Sequence, residues 1–115
     1  KIRTIMETYS DPDDLQKFGS ISEFQKVLGD KFFSWYAEVF KGSALSAKEK
    51  SLIALAVAHA VQCPYCIDAY STDATEKGYS KEQMMEAVHV AGAIRGGASM
   101  VHGVQMMNKV KDMSM

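Results

Sequence analysis

The stretch Leu52-Ile53-Ala54-Leu55-Ala56-Val57-Ala58-His59-Ala60-Val61 constrains the fold of this 115-residue chain more than any other segment. It is apolar around most of its circumference. A helix of that kind belongs at the centre of a helical bundle or in a subunit interface. Ser46 and Glu49 stand before it as a Ser-x-x-Glu capping box, so the helix is expected from Ser46 to about Gln62. No β alternation of useful length occurs anywhere, and Ala, Met and Leu outnumber Val and Ile.

The neighbouring segments follow the same helical logic. Asp11-Pro12-Asp13-Asp14 reads as a helix start, with a short helix through about Phe18. Ser20 or Ser22 is expected to cap a longer helix to about Lys41. Its Phe24, Val27, Leu28, Phe32, Trp35, Val39 and Phe40 recur at three- and four-residue steps, the period of a buried face. Phe32, Phe33, Trp35 and Tyr36 cannot all point inward on one helix. A fourth helix is expected from Pro64 to Gly78, and a fifth from Ser80, with Gln83 completing its cap. Arg95-Gly96-Gly97 is expected to break it, leaving a sixth from about Ala98 to Val110 and a frayed tail, Lys111 to Met115. The expected architecture is one all-α domain over residues 1–115, a bundle of five or six helices, with the surplus apolar surface covered by oligomerisation.

Chemistry concentrates at Cys63-Pro64-Tyr65-Cys66, which holds the only two cysteines. Two thiols at this spacing can close a disulfide ring with little backbone movement. With Pro64 opening a helix, Cys66 lies in the first turn, where exposed N–H groups and the helix dipole favour a thiolate. The bland alternatives are two inert thiols packed as small hydrophobes, or a zinc site. The latter would need Cys63, Cys66 and a His, and no second CxxC or HxxxH pair supports it.

Composition narrows the remaining classes. A formal charge of −1 and the absence of a Lys/Arg run argue against nucleic acid. No apolar run is long enough to span a bilayer. The start, Lys1-Ile2-Arg3-Thr4-Ile5, has no long apolar core of a signal peptide, so the expected location is cytoplasmic.

From Leu45 to about Val104 the chain resembles the carboxymuconolactone decarboxylase / alkyl hydroperoxidase D superfamily. The resemblance rests on Leu45-Ser46-Ala47-Lys48-Glu49-Lys50, Cys63-Pro64-Tyr65-Cys66, Lys77-Gly78-Tyr79-Ser80-Lys81-Glu82-Gln83, Glu86-Ala87 and Arg95-Gly96-Gly97-Ala98, in that order. The segment Gln83-Met84-Met85 through His102-Gly103-Val104 is also similar to a peroxidase-like subgroup associated with arsenosugar biosynthesis. The resemblance implies an all-helical AhpD-like protomer that assembles as a homo-trimer or homo-hexamer. It implies that Cys66 attacks a hydroperoxide and Cys63 resolves the sulfenic acid, an external thiol system resets the pair, and no cofactor or metal is required.

In the hydroperoxidase branch a Glu twelve residues before the first Cys and a His four after the second relay protons. Here those positions hold Ser51 and Tyr70. Ser51 cannot replace a carboxylate, and Tyr70 is a poor base at neutral pH. Candidate substitutes are Glu49, His59, His89 and His102, with His59 best placed, one turn before Cys63. The expected catalytic set is therefore Cys66, Cys63, His59, Tyr70, His102 and Glu49. Against these stand packing roles for the histidines, a capping role for Glu49 and a pocket-wall role for Tyr70. The methionines read as adaptable packing. Two other functions remain open: a decarboxylase, which needs proton transfer and anion binding, and a non-catalytic oligomer that binds a small molecule or an arsenical through the dithiol.

Overall fold

The computed structural model describes residues 11–113, all of whose regular structure is helical. Residues 1–10, which hold the Lys1-Ile2-Arg3-Thr4-Ile5 start, and the last two residues of the tail lie outside that range. The chain divides into two compact units, Lys1–Ala47 and Lys48–Met115.

The first unit holds a 3₁₀ helix, Pro12–Ser22, and helix α1, Lys26–Phe40. Asp11 caps the 3₁₀ helix: its side chain accepts the Asp13 N–H at 2.9 Å, while the Asp14 carboxylate accepts the Asp11 N–H at 3.1 Å. This first element runs past Phe18, so Ser20 and Ser22 lie inside it and do not cap the next helix. α1 starts instead at Lys26, after Gln25, which makes no side-chain cap. Gly29 permits the two elements to touch, because a Cβ there would fall 2.6 Å from Ser22 Cα.

Phe18 packs edge-on against Phe32 and Phe33, at ring separations of 6.0 and 5.0 Å, and Tyr36 packs on Phe40 at 5.0 Å. The sheltered face of α1 is thus Phe32, Phe33, Tyr36 and Phe40. Trp35, Val27 and Leu28 of the expected face are exposed. Three- and four-residue spacing gives a stripe but not its width, and the stripe here is displaced toward Phe33 and Tyr36.

The second unit contains α2, Ala47–Ala60, α3, Pro64–Glu76, and α4, Lys81–Met113. Its core is narrow: Leu55 is 1% exposed, Ser51 and Ala74 0%, Ala58 3% and Ala91 7%. α2 buries only one stripe. Ile53, Val57 and Val61 are exposed, so within the chain this helix is not enclosed on all sides as its composition suggests. The Ser80 cap forms as expected, its hydroxyl accepting the Gln83 N–H at 3.1 Å while Gln83 Oε1 accepts the Ser80 N–H at 2.9 Å.

The expected break at Arg95-Gly96-Gly97 does not occur. α4 is one helix of 33 residues, and Lys111, Asp112 and Met113 of the expected frayed tail belong to it. Two glycines cost about 2 kcal/mol of helix propensity together, which a long, anchored helix absorbs. Arg95 supplies an anchor by donating from Nη1 to the Ala60 carbonyl at 2.8 Å.

Candidate dithiol site

The thiols sit at a tight joint between α2 and α3. α2 ends in a Schellman arrangement: the Gln62 N–H reaches the His59 carbonyl at 3.2 Å, and the Cys63 N–H reaches that of Ala58 at 3.1 Å. Such an ending needs a left-handed residue, and Gln62 supplies it at φ 56°, where glycine is the usual choice. α3 ends the same way with a glycine, Gly78 at φ 94°, the Tyr79 N–H reaching the Ala74 carbonyl at 3.1 Å. The Arg95 bond to Ala60 holds the end of α2 from the α4 side. Cys63 therefore both closes the α2 terminus with its N–H and serves as the N-cap of α3.

Both cysteines are free thiols, each half-buried. Cys63 Sγ accepts the Cys66 N–H at 3.3 Å, filling the place a Ser or Asp cap would occupy. Cys66 lies in the first turn as expected, but its surroundings do not favour the anion. Burial, and then the hydrogen bond and charge of Cys63, push its thiol up to about 11 from an ordinary 9.0, against an opposing backbone hydrogen bond. The thiolate preference expected at Cys66 is thus overturned by desolvation and by the sulfur beside it.

His59 occupies the last turn of α2, four residues before Cys63 and separated from it by the left-handed Gln62. Its Nδ1 is 2.9 Å from the Leu55 carbonyl oxygen. A carbonyl only accepts, so Nδ1 carries the hydrogen, and in the neutral ring Nε2 is the basic nitrogen. Tyr70 is half-buried on α3, one turn beyond Cys66.

The other candidates lie elsewhere. Glu49 is in the first turn of α2, about 16 Å of helix rise before Ala60. His102 does not fold back over the thiols, because α4 is unbroken. It is exposed, about 10 Å of rise beyond Arg95, with Nδ1 donating to Gln105 Oε1 at 2.8 Å. His89 is also exposed on α4.

A polar contact that sequence reading missed lies at the far end of the α2/α3 pair. The fully buried Ser51 donates from Oγ to Asp73 Oδ2 at 2.6 Å, and Lys77 Nζ pairs with Asp73 Oδ1 at 2.5 Å. Lys77 first, then Ser51, hold the Asp73 carboxyl below the usual carboxylate range. The Asp73/Lys77 spacing of four was a readable helical ion pair. The Ser51 contact crosses 22 positions, and no local signal announces it. Asp73 lies about 10 Å of helix rise past Cys66.

A cavity of about 340 Å³ opens between the three helices, lined by Leu55, His59, Ser71, Thr75, Lys81, Met84, Met85 and Val88. Ser71 and Thr75 face it from α3, whereas Cys66 and Asp73 fall on the other flank of that helix at 100° per residue. Among the described residues no three His, Cys, Asp or Glu side chains gather to hold a metal ion, and no helix is long and apolar enough to cross a membrane.

An all-helical chain with a CxxC pair at the start of α3, its first cysteine the N-cap, defines the class: a helical dithiol protein. The chain belongs to the carboxymuconolactone decarboxylase family, whose pattern it matches over residues 28–109. It is 38% identical over 97 residues to "uncharacterized protein 4 in cox locus" of Paracoccus denitrificans, covering 84% of this chain and 87% of that protein. Among solved structures it is similar to a structural-genomics protein of Methanobacterium thermoautotrophicum, with TM-score 0.71 and 28% identity, over 75% of this chain and 97% of the other. It is also similar to a carboxymuconolactone decarboxylase family protein of Legionella pneumophila, crystallised in its apo form, with TM-score 0.55 and 26% identity, over 80% of this chain and 89% of that one.

Proposed function

We propose that this protein is a peroxidase-like thiol–disulfide oxidoreductase that cycles Cys63 and Cys66 between dithiol and disulfide. The observation that carries this reading is the joint itself: two free, half-exposed thiols on one turn, with one sulfur capping the helix that begins with the other. The substrate class is a small organic hydroperoxide, which takes two electrons from the pair to give an alcohol and water. An external dithiol then restores the reduced form. His59 is the histidine closest in sequence to the thiols and would serve as base, and Tyr70, one turn beyond Cys66 on α3, would donate a proton to the leaving alkoxide.

The partner surface is a second copy of this chain. α4 leaves Val90, Ile94, Met100, Val101, Val104, Met107 and Val110 exposed in the single chain, and a trimeric or hexameric assembly would cover them. The setting is cytoplasmic, where reduced thiols persist.

The test is consumption of cumene hydroperoxide with dithiothreitol as reductant. Turnover that vanishes in both Cys63→Ser and Cys66→Ser supports the reading. Turnover unaffected by either substitution overturns it.

The cavity favours a second reading, lactone decarboxylation. His59 Nε2 would move a proton, Lys81 would attract a carboxylate, and the Leu55, Met84, Met85 and Val88 walls would hold the ring. Binding of small carboxylates that is lost in His59→Gln, together with thiol-independent turnover, would select it.

A further inference from the structure

We propose that Cys63 is the attacking sulfur and Cys66 the resolving one, the reverse of the order the family resemblance implies. This assignment rests on the dithiol reading above. It comes from where the amide points. Cys63 Sγ accepts the Cys66 N–H and occupies the N-cap, at the positive end of the α3 dipole. A sulfur anion there converts that contact into a charge-assisted hydrogen bond, the stronger kind. The Cys66 amide donates to Cys63 Sγ, and what it returns to its own thiol is outweighed by burial and by the Cys63 sulfur.

The joint fixes this geometry from three sides. Gln62 is locked left-handed, the Cys63 N–H is bound to Ala58, and Arg95 grips the Ala60 carbonyl. The high proton affinity of Cys66 fits the resolving role, because its proton stays in place until the first step is complete.

The chemistry closes in three steps. The Cys63 thiolate attacks the terminal oxygen of a hydroperoxide, ROOH. The O–O bond breaks, leaving Cys63 as sulfenic acid and RO⁻, which takes a proton to become the alcohol. The Cys66 thiol then displaces hydroxide from the sulfenic sulfur. Its proton leaves with that hydroxide as water, and the Cys63–Cys66 disulfide forms. An external dithiol reduces the disulfide and is itself oxidised to a disulfide.

The experiment uses reduced wild-type protein at pH 7. It is treated with limiting N-ethylmaleimide, quenched at intervals and mapped by fragment mass spectrometry. Raising a thiol by about two units cuts its thiolate fraction about a hundredfold and returns about tenfold in nucleophilicity, so Cys66 is expected to label about tenfold more slowly than an ordinary thiol. Labelling that starts on Cys63, with Cys66 at least tenfold slower, is the expected result. Equal rates, or Cys66 first, overturn the assignment.

A second measurement follows sulfenic acid with dimedone after one dose of cumene hydroperoxide. Adduct in Cys66→Ser and none in Cys63→Ser is expected, and the opposite pattern overturns the assignment. The maleimide step needs no peroxide. If Cys63 labels first and neither variant reacts with hydroperoxide, the assignment stands and the peroxidase reading alone fails.

Discussion

Replacing Ser51 by Ala tests the buried contact between α2 and α3 in isolation. Serine and alanine differ by one oxygen, so the change leaves almost no cavity. What is lost is a 2.6 Å hydrogen bond from a fully buried hydroxyl to a carboxylate. Bonds to charged groups contribute about 1.5–3 kcal/mol. Asp73 keeps Lys77 and is one-third exposed, so water can replace part of the missing donor. The expected loss is therefore about 1–2 kcal/mol at pH 7, read from the urea midpoint at fixed protein concentration.

The loss has a pH signature. The Asp73 carboxyl is held low in the folded protein, so its contribution is fully present above the unfolded value of about 4 and disappears as pH falls through the folded one. The difference between wild type and Ser51→Ala should shrink over that acid range. A double-mutant cycle with Asp73→Asn isolates the pair, and a coupling near zero would refute the reasoning. Ser51→Glu sharpens the test, because it restores the carboxylate of the hydroperoxidase branch at a fully buried position beside Asp73. Two carboxylates there cost about 3–5 kcal/mol and should not restore a relay.

Three further outcomes are expected. Gly29→Ala drives a Cβ to 2.6 Å from the Ser22 backbone, and should destabilise the first unit by about 1–3 kcal/mol, read from the fluorescence of the sole tryptophan, Trp35. The two left-handed helix ends should respond oppositely: Gln62→Gly relieves strain and gains about 0.5–1 kcal/mol, whereas Gly78→Ala loses about 1–2 kcal/mol, both measured by urea unfolding. For Cys66, the folded thiol binds its proton more tightly than the unfolded one. Stability it contributes is present below pH 9 and is lost as pH rises toward 11, so the reduced protein should lose more stability over that interval than Cys66→Ser. Identical profiles would contradict the raised thiol.

The all-helical class was legible because caps, glycines and three- and four-residue spacing are local signals. Ser80 with Gln83, Pro64 at the start of α3 and Gly78 beyond its end formed as read. The failures arose where a contact outvoted the local signal, at separations from three residues to thirty-five. Gly96-Gly97 reads as a break by propensity alone, yet Arg95 reaches across 35 positions to Ala60 and α4 continues. Ser20 and Ser22 read as caps, but the close approach of Gly29 to Ser22 belongs to an extended 3₁₀ helix. Cys66 reads as an activated thiol from its first-turn position, but burial and the Cys63 sulfur outweigh its backbone hydrogen bond.

The same distinction explains why the missing acid cannot be found by searching near position 51. The hydroperoxidase branch places a carboxylate on the helix before the dithiol, and this chain places one on the helix after it. Asp73 meets the Ser51 hydroxyl, so the carboxylate occupies nearly the same level of the α2/α3 pair from the opposite side. Its charge is already committed to Lys77, and it lies about 10 Å of helix rise from Cys66. A carboxylate so placed fastens the helices together, with Ser51 on one oxygen and Lys77 on the other. The N-cap of α3 gives Cys63 an amide donor and a place at the positive end of the helix dipole, neither of which involves a carboxylate. On the proposed assignment, the absence of the Glu/His pair and an attack from Cys63 would be one change in the chemistry rather than two.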